Sequence, residues 1–95
     1  MHDERSLLKL MVYTKTGQYL GRVLGFEFDE MSQMILRYKV RPKGFASRII
    51  KTPLLIAREQ VIRIESEKMI VDDMVLKEME AEVVRAIGLA ETSSS

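Results

Sequence analysis

Short alternating runs, each cut off by a turn signal, constrain this chain more than any other feature. The clearest is Met34 to Arg41. Leu36, Tyr38 and Val40 fall on one side, and Arg37, Lys39 and Arg41 on the other. A period of two is the mark of a half-buried strand. Leu8 to Thr14 alternates too, with Leu8, Leu10 and Val12 opposite Lys9, Met11 and Tyr13. Leu20 to Asp29 reads as another strand. There Leu24, Phe26 and Phe28 share a face and Val23 lies opposite, while Gly21 and Gly25 permit a bulge. Lys15 to Gln18 and Asp29 to Gln33 read as turns. Pro42 to Ser47 reads as a loop, because Pro and Gly both interrupt a ladder. Ile49 and Ile50 restart extended structure, and Leu54 to Ile56 is a short apolar run. Ala57 to Gln60 suits one helical turn. Val61 to Glu65 and Met69 to Val71 are the closing strands. Strands this short and regularly spaced predict a mainly β fold, a small barrel or sandwich.

The period then changes. Leu76, Met79, Val83 and Ile87 recur at helical spacing, with Asp72 and Asp73 placed to cap the start and Gly88 to stop the end. The expected organisation is a β domain over 7–73 and a C-terminal helix over 74–90. Residues 1–6 and 91–95 are expected to be flexible ends.

Composition excludes much chemistry. The 95 residues contain no Cys and one His, His2. Disulfides, thiolate catalysis and Cys-ligated zinc are therefore out. Asp29-Glu30 and Asp72-Asp73 are adjacent pairs, and neighbours on a strand point to opposite faces, so they make no acid/base pair. Gly21 to Gly25 lacks the Lys-Ser/Thr of a phosphate loop. No enzyme, metal or cofactor is expected. No apolar run is long enough to span a bilayer, the N-terminus does not read as a signal peptide, and the expected location is the cytoplasm.

Charge is uneven. Arg37 to Arg63 holds eight basic residues and one acid, whereas Glu65 to Glu91 holds eight acids and three bases. Arg37, Lys39, Arg41, Lys43, Arg48 and Lys51, with Phe45 in the loop, form the candidate partner-binding patch. Such a patch suits an acidic protein surface, anionic lipid headgroups or nucleic-acid phosphates, or it simply keeps a sheet face solvated. Aromatic stacking partners for RNA are few. Leu76, Met79, Val83 and Ile87 form the second candidate surface, to pack on the barrel or pair with a second copy.

Two stretches carry a resemblance. Thr16-Gly17-Gln18-Tyr19-Leu20-Gly21-Arg22-Val23, followed by Phe26-Glu27-Phe28-Asp29, is one. Leu55-Ile56-Ala57-Arg58-Glu59-Gln60-Val61-Ile62-Arg63-Ile64, then Met69-Ile70-Val71, is the other. Over about residues 8 to 73 the chain resembles the PRC-barrel family. It departs at Gly25, where the family often has an acid, and at Ala57, where an aromatic is frequent. The resemblance implies a small antiparallel β-barrel that docks onto proteins without catalysis. Members include a domain of the reaction-centre H subunit and the C-terminal domain of a ribosome maturation factor. Stand-alone archaeal members partner the membrane adaptor of the tubulin-like division ring, and this chain is most similar to those. The expected function is a homodimeric protein-binding adaptor, in archaeal-type cell division. The alternative is an RNA- or ribosome-maturation-associated factor using the basic patch.

Overall fold

A computed structural model describes residues 10–93, with side chains described through residue 88. The reading of residues 1–6, of Leu8 and of His2 lies outside the described residues. Six strands form one sheet: β1 (Met11–Thr14), β2 (Tyr19–Phe28), β3 (Ile35–Pro42), β4 (Leu54–Ala57), β5 (Val61–Ile64) and β6 (Lys68–Val71). Two helices accompany them, α1 (Gly44–Ile49) and α2 (Met74–Ser93), and a single 3-10 turn spans Arg58–Gln60. The strand order is β4-β3-β2-β1-β6-β5.

This corrects the expected antiparallel barrel in two respects. The sheet is mixed, because β1 and β6 pair in parallel, Met11 with Lys68 through Thr14 with Val71. It is also open, because no ladder joins the edge strands β4 and β5. Only the 3-10 turn separates those edges in sequence. Four residue steps span at most about 15 Å, so the sheet must coil until its two edges approach at that corner. Gln60 ties the corner down. Its amide oxygen accepts from the Ala57 backbone N–H at 3.0 Å, and its backbone carbonyl accepts from Asp72 N–H at 2.9 Å.

The β1–β2 turn is built on Thr14, a buried polar residue. Its hydroxyl accepts from Gln18 N–H at 3.0 Å and stands 3.0 Å from the Thr16 hydroxyl. Thr16 donates to the Asp73 carboxylate at 3.1 Å, so Thr14 is the donor to Thr16. One chain of hydrogen bonds thus pins the turn to the start of α2. The β2–β3 turn rests on Asp29, whose carboxylate accepts from Ser32 Oγ at 2.8 Å and from Met31 N–H at 3.3 Å. Those two bonds, the Ser32 one foremost, hold the exposed Asp29 carboxyl below its ordinary pKa.

The core lies on one side of the sheet: Leu10, Val12, Leu20, Val23, Tyr38, Val40, Leu54, Ile56, Met69 and Val71. Two expected phases do not hold. The register of β2 against β3 shifts between Val23 and Gly25, which resets the alternation. Val23 is buried, while Leu24 and Phe28 are exposed and Phe26 stays against the core. Leu36 is exposed as well: the ladder passes from Arg37 to Ile35 at a second register shift and skips it, while Ile35 packs against the core.

The expected loop over Pro42 to Ser47 is instead the end of β3 and most of α1. Phe45 to Ile49 contains no breaker, and the turn closes through Ser47 Oγ to the Gly44 carbonyl at 2.6 Å. Ile49 ends that helix rather than starting a strand, and the chain is extended again at Ile50. Gly88 does not stop α2, which continues through Thr92 to Ser93. Mid-helix glycine costs only about 1 kcal/mol.

Gly21 is where the backbone has no slack. A Cβ there would collide with the Arg41 carbonyl oxygen on the neighbouring strand, at φ +154. Gly25 has open space and an ordinary φ. Gly21→Ala should therefore cost about 2–4 kcal/mol in urea unfolding, while Gly25→Ala stays within about 0.5 kcal/mol of wild type. Equal effects at the two positions would refute the close approach.

Candidate functional site

The sheet has a second face, pointing away from the core. Its position is set by register. Lys68 of β6, Met11 of β1, Arg22 of β2 and Arg41 of β3 are successive rung partners. They form one row across four strands, about 14 Å long at the usual strand spacing. All four are exposed. In the adjacent row, Tyr13 pairs with Tyr19 and with Ile70. The two tyrosine rings meet at 5.2 Å, tilted by 46°. Lys68 Nζ sits 5.4 Å from the Tyr13 ring centre, and Lys43 Nζ 5.6 Å from that of Tyr19. Each ring thus carries one ammonium over one of its faces, worth about 0.5–1 kcal/mol at an exposed site.

The electrostatics of this face are lopsided. The ion pairs among the described residues are Arg37–Glu27 at 2.9 Å, Arg58–Glu59, Arg63–Glu65 and Arg85–Glu82. None involves Arg22, Lys39, Arg41, Lys43 or Lys68. Arg22 and Arg41 stand directly opposite each other with no carboxylate between them, an unfavourable cross-strand pair.

The structure divides the expected basic patch. Lys39, Arg41 and Lys43 belong to the outer face. Arg37 lies on it too, but Glu27 across the strand pair neutralises it. Arg48 and Phe45 ride on α1, with Phe45 63% exposed and not folded back over the domain. Lys51 lines an open groove of about 460 Å³ with Arg41, Leu24, Ser47 and Thr52. The linear pattern does not single out Arg22, Lys68, Tyr13 or Tyr19. They come from three other strands, and only register brings them together.

The second candidate surface is also redrawn. Met79 is buried in the domain's own core, and Leu76 and Val83 pack partly against it. Val75, which the expected stripe omits, is fully buried and is the deeper anchor. Asp72 caps the helix, its carboxylate accepting from Met74 N–H at 2.8 Å. Glu78 accepts from the Gln60 amide at 3.1 Å, so the second turn is held at the β4–β5 corner. Beyond Met79, no side chain described on α2 is buried; Val84 is 69% exposed and Ile87 is exposed as well. An open groove of about 370 Å³ separates Glu78, Ala81, Glu82 and Arg85 from the Ile50–Leu55 segment.

The PRC-barrel domain model matches residues 2–80 of the chain. The chain belongs to the PRC-barrel family. No curated protein matches it significantly. PRC-barrel domains are protein-interaction and assembly folds, and the family is generally non-catalytic. The two surfaces above are therefore the places to look for function. Among the described residues, no helix is long and apolar enough to cross a membrane.

The opposed Arg22 and Arg41 give a direct test of the electrostatics. Arg22→Glu turns a like-charge pair into an opposite-charge pair. It should raise stability by about 0.2–1 kcal/mol at low salt, and the gain should shrink as salt is added. A loss of stability would mean that the two arginines do not face each other as described.

Proposed function

We propose that this PRC-barrel protein is a non-enzymatic protein-binding module that assembles as a homodimer through the distal half of α2. The observation that carries this reading is the exposure of Val84 and Ile87 on a helix whose apolar packing against the core runs only as far as Val83 among the described side chains. An isolated helical half is marginal in water, and packing against another surface is what stabilises it. The interface surface changes accordingly. Leu76, Met79 and Val83 serve the domain's own core, and Val84 with Ile87 faces the second copy. A symmetric pair of such helices is the simplest closed arrangement.

The finer reading is an adaptor in archaeal-type cell division, a partner of the division ring's membrane adaptor, acting in the cytoplasm. Its support is the similarity to stand-alone family members. The second reading, an RNA- or ribosome-associated factor, draws on the unpaired cations of the outer face. Against it, the ring faces of Tyr13 and Tyr19 that would stack with bases hold lysine ammonium groups.

Light scattering at micromolar concentration tests the dimer. The expected mass is twice the chain's 11.0 kDa. Val84→Glu combined with Ile87→Glu should return it to the monomer value while the thermal midpoint of the β domain is retained. A wild-type monomer at every concentration would contradict the reading.

A further inference from the structure

We propose that the outer face of the sheet is a docking site for an acidic, extended polypeptide segment of a partner protein. The inference rests on the chain being a protein-binding module, but it concerns a different surface from α2. Three observations support it.

The first is the charge arrangement. Lys68, Arg22 and Arg41 lie in one row, with Lys39 and Lys43 beside it, and no described carboxylate pairs with any of them. A like-charge rung destabilises the sheet, and a bound anion relieves that cost. The second is spacing. Cations along β3, Lys39 and Arg41, are about 7 Å apart, the same repeat as the like-facing side chains of an extended peptide. The third is the apolar content. Met11, Leu24 and Leu55 are exposed beside these cations, with Leu55 opposite Lys39. A segment alternating acids with apolar residues uses both kinds of contact. A phosphodiester chain uses only the charges, and the aromatic faces that would receive its bases hold Lys43 and Lys68.

The probe is a fluorescein-labelled synthetic peptide of repeated Glu-Leu-Glu-Thr, followed by anisotropy against the full chain. Matched probes are the same peptide with Lys for Glu and a single-stranded oligouridylate. The acidic peptide should bind, with affinity falling steeply as salt rises. Arg22→Glu with Arg41→Glu should weaken it by about tenfold or more, equivalent to about 1.4 kcal/mol. Lys68→Glu provides an independent variant on another strand and should weaken binding in the same direction. Val84→Glu with Ile87→Glu should leave peptide affinity unchanged, so failure of the dimer and failure of this site are separate results. Binding of oligouridylate in preference to the acidic peptide, binding of neither probe, or acidic-peptide affinity insensitive to the Arg22 and Arg41 changes would each overturn the proposal.

Discussion

Met11–Thr14 lies parallel to Lys68–Val71, and this ladder joins two otherwise separate pieces of sheet. Strands β1 to β4 form one antiparallel meander, and β5 with β6 forms a hairpin. A two-stranded hairpin is barely stable alone in water. Pairing it with β1 completes the core, since Val12, Met69 and Val71 then meet the side chains of β2 and β3. The same ladder sets the start of α2. Thr14 ends β1, Val71 ends β6, and the Thr14–Thr16–Asp73 hydrogen bonds connect that end of the sheet to the helix. The cost is the long loop that must close between residues 14 and 68 before the ladder can form.

The ladder also decides which surfaces stay exposed. Its parallel rungs put Lys68 beside Met11, and the antiparallel rungs put Met11 beside Arg22 and Arg22 beside Arg41. A basic row thus appears on the face opposite the core. On the other face, the edges of an open sheet approach at the 3-10 turn, and Val75 and Met79 enter the core there. The helix contributes those two side chains to the core, with Leu76 and Val83 packed partly against it. Its later turns carry Val84 and Ile87 outward. A family of interaction folds needs surfaces of this kind, and here one is polar and one apolar.

Much of this architecture is legible in the chain. The strands over 35–42 and 61–64 show in the alternation, and the helical turn at Arg58–Gln60 in its polar run between apolar ones. The long terminal helix shows in the change of period after Asp73. The glycine-permitted bulge in β2 is also legible, but not its effect on phase. The residue inserted at Leu24 lets Val23 and Phe26 share the core face and turns Leu24 out, and a second shift, between Glu27 and Phe28, lies where Phe28 is exposed. The parallel pairing is invisible, because alternation reports which face a residue takes and not the direction of its neighbour. For the same reason the linear pattern draws the basic patch along one strand, Arg37 to Arg41, when the spatial grouping runs across strands. Glu27, ten residues from Arg37, removes one of its charges, and Arg22 and Lys68 supply others. Val75 escapes the pattern because a stripe starting at Leu76 also satisfies helical spacing.

The central claim is that this fold completes its own core and leaves the distal half of α2 to be covered by a partner. Residue-resolved amide hydrogen exchange measures that directly. At low protein concentration, amides from Met79 back to Val75 should be protected nearly as well as β2 and β3, while those from Val84 to Ile87 exchange rapidly. Raising the concentration should protect the second group and leave the first unchanged. Uniform, concentration-independent protection along the whole helix would show that its own domain already holds it, and would contradict that claim.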